Sequence, residues 1–134
     1  MISVCIATYN GELFIKKQLL TILSQLSIED EIIISDDGST DRTIAIVNSI
    51  NDNRIKIFNH EKSEIKHRSA NHIYTSKNFE NALKNVNGDY IFLADQDDLW
   101  AGEKIAKMIK SLSENDNILV ASNFQIKILS SLLF

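Results

Sequence analysis

Runs of consecutive apolar residues alternate along this chain with segments in which apolar residues recur every three or four positions. The runs predict strands at Ile2–Ala7, Glu31–Ser35, Arg54–Phe58, Tyr90–Ala94 and Asn117–Phe124. The periodic segments predict helices over Glu12–Leu26, from the capping candidates Ser39–Asp41 to Ile50, over Ser76–Val86 and over Glu103–Leu112. This alternation predicts an α/β domain with a mostly parallel sheet flanked by helices. Because Tyr90–Ala94 is apolar throughout, we expect that strand to have no solvent-facing side.

The segment His60–Thr75 departs from this alternation, because it is polar and shows no clear period. Its length predicts an irregular loop of the kind that is either functional or mobile. His60, His67 and His72 lie in it, but their spacing matches no metal-ligand pattern. We therefore interpret the three histidines as solvated loop residues.

Composition narrows the class of protein. A chain of 134 residues with 44% hydrophobic and 24% charged residues is typical of one soluble domain. A net charge of -4 gives no basic footprint for nucleic acid. Cys5 is the sole cysteine and lies in an apolar strand, which predicts a small buried hydrophobe and a reducing compartment. With no signal peptide or membrane-spanning run apparent, we expect a cytoplasmic protein.

Polar clusters follow three of the predicted strands, and the carboxyl ends of parallel strands meet at one edge of a sheet. The first cluster is Thr8–Gly11, where the ring of Tyr9 is suited to stack on a nucleobase. The helix that follows would offer free N–H groups to an anion. Taken alone, this cluster is better interpreted as a plain strand-to-helix turn.

The second cluster is Ser35–Asp41, which contains two adjacent carboxylates, Asp36 and Asp37. One of them can accept a hydrogen bond from a base N–H, while Gly38 permits a tight turn and Ser39 or Thr40 caps the next helix. A helix cap with solvated acids explains this cluster equally well.

The third cluster follows the apolar strand directly and places Asp95, Asp97 and Asp98 within four positions. Alternate residues of an extended segment share a side, so Asp95 and Asp97 are expected to face one way and Gln96 the other. Carboxylates this close repel one another unless a cation joins them, and Mg²⁺ or Mn²⁺ carrying phosphate oxygens fits such a site. A solvated acidic turn is the weaker alternative. The three clusters together predict a metal–phosphate site.

These motifs resemble the amino-terminal part of a family 2 glycosyltransferase with the Rossmann-like GT-A fold. Ser3–Glu12 resembles the family's first strand and nucleotide loop, Ile34–Asp41 its second signature, and Asp95–Asp97 its metal motif. The variant Ala94–Trp100 resembles the bacterial branch often described as rhamnosyltransferases. The likeness covers 1–122, an incomplete nucleotide-sugar-binding domain, and leaves 123–134 as an atypical apolar tail.

The resemblance implies roles for individual residues. It implies nucleotide contacts from eight residues: Thr8, Tyr9, Asp36, Asp37, Lys77, Asn78, Asp95 and Gln96. Thr8 and Tyr9 would line the base pocket, Asp37 would bind the base N–H and Asp36 would support its loop. Lys77 replaces an arginine common in relatives, so it offers charge to phosphate without a bidentate fork. Asp95 and Asp97 would hold Mg²⁺ or Mn²⁺, and Trp100 would either border the sugar or pack in the core.

The family's activity is transfer of a sugar from a UDP- or dTDP-linked donor to a cell-surface glycan or lipid-linked acceptor, with inversion. Such an acceptor implies work at the inner face of the cell membrane. Its general base comes from a later carboxylate, and no Asp or Glu follows Asp116 here. We therefore expect a truncated chain that transfers sugar slowly or not at all alone. The alternatives are a non-catalytic nucleotide-diphosphate-binding fragment and a structural domain that self-associates through its apolar tail.

Overall fold

The computed structural model describes residues 1–60, 70–114, 119 and 121, with the main chain alone for 70–72. The elements are β1 Ile2–Thr8, α1 Ile15–Leu23, β2 Glu31–Asp36, α2 Thr43–Ile50, β3 Ile55–Asn59, α3 Ala70–Leu83, β4 Tyr90–Asp95 and α4 Lys104–Glu114. They divide into two units, Met1–Gly102 and Glu103–Phe134, of which the second contains α4. The predicted alternation of strands and helices is confirmed.

The four strands form one parallel sheet in the order β3-β2-β1-β4. The register pairs Thr8 with Asp36, Asp36 with Asn59, and Ala7 with Asp95, so the carboxyl ends of all four strands lie at one level. The chain moves outward from β1 to β3 and then returns to the other side of β1. This reversal makes the carboxyl ends of β1 and β4 a topological switch point, where open α/β sheets bind ligands.

The two central strands supply most of the core. The fully buried apolar positions of β1 and β2 are Val4, Cys5, Ile6, Ile32, Ile33 and Ile34. Cys5 and Ile33 pack against Ala82 of α3, with Phe58, Phe79 and Val86 around them. Desolvation and, second, the charge of Glu31 raise the pKa of the Cys5 thiol to about 11. The prediction that Cys5 is a buried hydrophobe is therefore confirmed, and its thiol is poorly reactive.

The expectation that β4 is buried on both faces is wrong. Tyr90, Ile91 and Leu93 are 40%, 47% and 56% exposed, whereas Phe92 and Ala94 are buried. β4 is an edge strand of the described sheet. Its run of apolar residues does not distinguish a strand that is covered on one face from a strand that is covered on both. Trp100 is buried with its ring centroid 5.7 Å from that of Phe92, so core packing is the better of its two interpretations.

Several element boundaries also differ from prediction. α1 is three residues shorter at each end, and α3 begins six residues before Ser76, because 70–75 lacks the apolar period that marks a helix. α2 begins at Thr43, and its N-cap residue Arg42 makes no side-chain cap. Of the expected cap residues, Asp41 accepts from the Thr43 N–H at 2.9 Å, whereas the Ser39 hydroxyl donates to Asp36. The predicted strand 117–124 lies outside the described residues except for 119 and 121, which belong to no strand, and the tail 123–134 lies wholly outside them. Within the described part, no helix has the length and apolar character needed to cross a bilayer.

At the amino ends of the strands, a buried carboxylate joins three segments. Glu31 is 2% exposed and accepts hydrogen bonds of 2.7 Å from the Ser3 hydroxyl, the Lys56 ammonium and the Asn87 backbone N–H. Desolvation opposes its ionisation, but the hydrogen bonds from Lys56, Ser3 and Asn87 outweigh that effect and hold the Glu31 pKa at about 2. This edge is therefore a charged structural joint.

The low pKa of Glu31 makes stability depend on pH. A glutamate with a pKa of 4.5 in the unfolded chain and about 2 in the folded protein contributes roughly 3 kcal/mol above pH 4.5. That stabilisation is lost as pH falls from 4.5 toward 2, because the unfolded chain then binds the proton more tightly. We expect Glu31→Gln to flatten the fall in the free energy of unfolding between pH 5 and pH 3, measured by urea titration.

The exposed neighbour Glu29 provides the matched control. Glu29→Gln should keep the wild-type slope of unfolding free energy against pH, because no comparable set of partners surrounds a solvent-facing carboxylate. Equal slopes for Glu31→Gln and Glu29→Gln would show that the buried joint does not control acid stability.

Candidate functional site

A crevice of 180 Å³ opens at the switch point between the carboxyl ends of β1 and β4. Its lining residues are Ala7, Thr8, Tyr9, Asp37, Thr75, Asn78, Asp95, Gln96 and Asp97. The structure thus brings together seven of the nine residues predicted to bind nucleotide or metal. Asp36 and Lys77 do not line it. The nucleotide and metal contacts of all nine residues stay predictions.

A larger crevice of 590 Å³ lies at the opposite, amino edge of the sheet. Two ion pairs are already formed there, because Arg54 Nη2 lies 2.7 Å from Asp52 Oδ2 and Lys56 Nζ lies 2.7 Å from Glu31 Oε2. Parallel α/β sheets bind ligands at the carboxyl ends of their strands. The smaller crevice is therefore the candidate site.

The loop between β1 and α1 uses its backbone N–H groups internally. Four consecutive N–H groups, from Tyr9 to Glu12, donate to side chains of other segments. Their acceptors are Gln96 Oε1 at 3.0 Å, Ser39 Oγ at 2.9 Å, Thr43 Oγ1 at 2.8 Å and Asp41 Oδ2 at 3.1 Å. Three N–H groups in the first turn of the predicted helix are paired as well, because Glu12 donates to Asp41, and Phe14 and Ile15 donate to the Gly11 carbonyl. The expectation that the helix offers free N–H groups to an anion is therefore wrong for these three groups.

Gln96 is the side chain that joins the loop after β4 to the loop after β1. Its Oε1 accepts from the Thr8 hydroxyl at 2.7 Å and from the Tyr9 N–H, while its Nε2 donates to the Tyr9 carbonyl at 3.2 Å. The expectation that Gln96 points away from its neighbours on an extended segment is wrong. Gln96 and Asp97 form a turn after β4, so all three of Asp95, Gln96 and Asp97 reach the same crevice.

The adjacent carboxylates after β2 have different surroundings. Asp36 accepts from the Gly38 N–H, the Ser39 N–H and the Ser39 hydroxyl, which holds the turn in which Gly38 has a φ of 77°. Asp37 is 5% exposed and lines the crevice. Its backbone N–H donates to the Thr8 carbonyl at 2.9 Å, which fixes its main chain beside β1.

Lys77 and Asn78, the two residues of α3 predicted to contact the nucleotide, also differ in their surroundings. Asn78 is 3% exposed, lines the crevice and donates from Nδ2 to the Thr8 carbonyl at 3.2 Å. Within the described part of the chain, its Oδ1 atom has no hydrogen-bond partner. A buried acceptor without a partner costs free energy unless a ligand supplies the donor. Lys77 is half-buried and stands outside the crevice lining.

At the acidic end of the crevice, the surroundings of Asp95 disfavour its charged form. Desolvation, and then the charges of Asp98 and Asp97, raise the pKa of Asp95 above its usual range. No group of three or more His, Cys, Asp or Glu side chains suited to a metal occurs among the described residues. The crevice instead offers two carboxylates after β4, which are hard oxygen donors of the kind that Mg²⁺ and Mn²⁺ prefer.

Sequence reasoning missed two buried side chains at this edge. Gln18 of α1 is fully buried and donates from Nε2 to the Asp95 carbonyl. Its position three residues after Ile15 and four before Ile22 was a signal, because a glutamine on a buried face needs an internal partner. His60 is not solvated as expected, since its ring is 15% exposed and its Nδ1 lies 2.9 Å from Asp37 Oδ1. His67 and the side chain of His72 lie outside the described residues.

Comparison with known proteins identifies the family. The family model described as "Glycosyl transferase family 2" matches residues 3–131. The chain belongs to this family. Among curated glycosyltransferases, dTDP-rhamnosyl transferase RfbG of Shigella flexneri is 39% identical over 120 residues, which cover 87% of this chain and 40% of RfbG. WfaP of Escherichia coli, a UDP-Glc:alpha-D-GlcNAc-diphosphoundecaprenol beta-1,3-glucosyltransferase, is 35% identical over 95% of this chain and 47% of its own length.

A solved structure shares the fold. The crystal structure of S. aureus TarS 1-349 superposes with a TM-score of 0.70 at 26% identity, covering 86% of this chain and 33% of the TarS 1-349 chain. The chain thus spans less than half the length of RfbG, WfaP and TarS. The prediction of an amino-terminal part of a family 2 glycosyltransferase with a GT-A-like α/β fold is confirmed.

In this family member, the Gln96 side chain, which bonds to Thr8 and Tyr9, approaches the backbone most closely at Gly11. A Cβ at Gly11 would lie 2.5 Å from Gln96 Oε1 and 3.2 Å from Thr8 Oγ1. Gly11→Ala should therefore push the Gln96 amide away and break its bonds to Thr8 and Tyr9. We expect a loss of about 1–2 kcal/mol in the free energy of unfolding, measured by urea titration.

Gly102→Ala is the control for this test. A Cβ at Gly102 meets nothing within 4 Å, so the substitution should change the free energy of unfolding by less than about 0.5 kcal/mol. If both alanine variants are as stable as the wild-type chain, the close approach of Gly11 to Gln96 has no energetic role.

Proposed function

We propose that this chain forms the nucleotide-sugar-binding part of a glycosyltransferase that transfers a sugar, with inversion, to a glycan or lipid-linked acceptor. The observation that carries the proposal is the arrangement of the switch-point crevice. Asp37 lies at the end of β2, while Asp95 and Asp97 lie at the end of β4. A nucleoside diphosphate has matching chemistry, with a base N–H donor at one end and a diphosphate that binds cations at the other.

The nucleoside end of the proposal uses three side chains. The ring of Tyr9 is 45% exposed at the crevice, which suits it to stack on a base. Asp37 would accept the base N–H, and the buried Oδ1 of Asn78 would accept a second ligand donor. Support comes from TarS, which was crystallised with UDP-GlcNAc and matches this chain with a TM-score of 0.69 and 26% identity.

The diphosphate end of the proposal uses a divalent cation, Mg²⁺ or Mn²⁺. Two carboxylates are too few for an all-protein cage, but such ions commonly bind one or two carboxylates together with substrate phosphates. Asp95 and Asp97 fit that requirement. The raised pKa of Asp95 reflects its desolvation and then repulsion by Asp98 and Asp97, which a bound cation would offset. When bound, the cation would neutralise negative charge on the departing diphosphate.

The proposed reaction breaks the bond between the anomeric carbon and the phosphate oxygen, while an acceptor hydroxyl attacks from the opposite face. Inversion of the anomeric centre follows from that geometry. The acceptor hydroxyl must lose a proton to a general base. Asp37 is assigned to the nucleobase, and Asp95 and Asp97 are assigned to the cation. We therefore expect the general base that deprotonates the acceptor hydroxyl to come from outside this crevice.

The donor and acceptor classes follow from named relatives. RfbG is a dTDP-rhamnosyl transferase, and WfaP uses UDP-Glc and a diphosphoundecaprenol-linked acceptor by its name. We therefore propose a UDP- or dTDP-linked donor and a lipid-linked glycan acceptor of cell-surface polysaccharide synthesis. We propose that this work takes place in the cytoplasm, at the inner face of the membrane, where the protein would meet a lipid-linked acceptor.

Ligand binding gives the direct test of the nucleotide and metal assignment. A ligand that binds only the folded state raises its stability, by about 2.7 kcal/mol at a concentration 100 times Kd. We expect UDP or dTDP with Mn²⁺ to raise the melting temperature by several degrees, and neither component to do so alone. Asp95→Asn and Asp97→Asn should abolish the part of the rise that depends on Mn²⁺.

Asp89→Asn is the matched control, because Asp89 immediately precedes β4 at the opposite edge of the sheet and its side chain is 80% exposed. That variant should keep the full ligand-induced rise, measured against its own unliganded melting temperature. A rise that survives Asp95→Asn and Asp97→Asn unchanged would contradict the metal assignment. No rise with any nucleotide diphosphate would contradict the proposed function.

A second candidate is a nucleotide-diphosphate-binding part without transferase activity of its own. The assignment of all three crevice carboxylates to nucleotide and cation favours it, because none is left to activate an acceptor. We expect the 134-residue chain to bind nucleotide sugar without acceptor-dependent release of nucleotide diphosphate, followed by chromatography of the products. Release at the rate of a full-length family 2 enzyme would exclude this candidate in favour of an autonomous transferase.

A further inference from the structure

His60 is the residue that follows β3, and it makes two contacts with the loop after β2. Its backbone N–H donates to the Asp36 carbonyl at 2.7 Å, which continues the parallel pairing of the two strands. Its ring nitrogen Nδ1 lies 2.9 Å from Asp37 Oδ1. The His60 and Asp37 side chains are 15% and 6% exposed, so solvent has little access to this pair.

The pair has a defined hydrogen-bond direction. An ionised carboxylate only accepts, so the proton must be on Nδ1 of His60 for the 2.9 Å contact to be a hydrogen bond. The Asp37 main chain is held separately, through the 2.9 Å bond from its N–H to the Thr8 carbonyl. His60 is therefore a side-chain contact that orients the carboxylate of a residue whose backbone is held separately.

We propose that His60 is a positioning residue that sets the nucleobase preference of the site by orienting the Asp37 carboxylate. This inference rests on the proposed function, in which Asp37 accepts the base N–H. Uracil and thymine present an N–H at ring position 3, whereas cytosine presents a lone pair there. A carboxylate held in one direction favours the first two bases and repels the third, whereas a carboxylate that can rotate relaxes that choice.

The alternative is that His60 acts only as a structural residue at the end of the sheet. That role would change stability and weaken all ligands alike, because no specific group on the base would be involved. A positioning role would instead change the ratio of affinities between bases that differ at ring position 3. The ratio of the Kd for CDP to the Kd for UDP is therefore the decisive quantity.

The experiment measures Kd for UDP and CDP with Mn²⁺ by calorimetry on the full chain and its variants. We expect the wild-type chain to favour UDP over CDP by about 10-fold or more, as expected for a lost hydrogen bond and a repelled lone pair. His60→Leu should reduce that ratio by about 5-fold or more, with His60→Ala as a second variant if His60→Leu does not fold. His60→Asn should restore it, because the asparagine amide can place an N–H close to the original Nδ1.

Two further variants separate positioning from packing. Asn81→Ala removes the hydrogen bond from Asn81 Nδ2 to Ser35 Oγ at 2.8 Å, which lies near the same strand ends and involves no atom of Asp37. It should lower the melting temperature and leave the affinity ratio unchanged. In an Asp37→Ala background, His60→Leu should have no further effect on the ratio, because His60 acts through Asp37.

The outcomes for the two proposals are distinct. A wild-type chain that binds neither nucleotide overturns the proposed function and this inference with it. A wild-type chain that binds UDP and CDP equally, or a ratio unchanged in His60→Leu and His60→Ala, overturns the inference and leaves the proposed function standing. If His60→Leu changes the affinity ratio as much in the Asp37→Ala background as in the wild-type chain, the inference is also overturned. The histidine would then act by another route.

Discussion

The backbone of the loop after β1 is the constraint on which the site depends. Four N–H groups in a row have no main-chain acceptor there, and leaving such groups unpaired away from water is costly. Side chains from the loops after β2 and β4, and from α2, supply the acceptors. Asn10, with a φ of 49°, turns the chain so that these contacts are reached. The contacts bind three strand ends together, and the switch-point crevice is the space that remains between them.

Carboxylates at the two edges of the sheet show how structural and functional acids differ. Glu31, at the amino edge, receives hydrogen bonds from three residues and has a pKa of about 2. Asp95, at the carboxyl edge, has a raised pKa because desolvation and neighbouring acids disfavour its charge. The first arrangement is complete without a ligand, whereas the second gains from an added cation. The same contrast explains why the larger crevice at the amino edge, with its ion pairs formed, is the poorer candidate site.

Local patterns predicted the parallel α/β fold and most of the site, since apolar runs mark strands and the ends of parallel strands converge. Asp37, Asp95 and Asp97 were found in this way, whereas Asn78 came only from the family resemblance, which also assigned the roles of all four. The errors arise where a residue's environment is set by distant partners. Gln96 appeared to point away, but the turn after β4 and its hydrogen bonds with the Tyr9 N–H and carbonyl direct it inward. His60 appeared solvated because only the pairing of β2 with β3 brings it to Asp37.

The central claim is that a nucleoside diphosphate and a divalent cation bind together in the crevice between β1 and β4. The most direct test is a crystal structure of this chain grown with Mn²⁺ and UDP or dTDP, with diffraction data collected at the manganese absorption edge. The account predicts an anomalous manganese peak bound by Asp95, Asp97 and the diphosphate, with the base against Tyr9 and Asp37. Nucleotide found in the crevice at the amino edge, or manganese bound away from both aspartates, would contradict it.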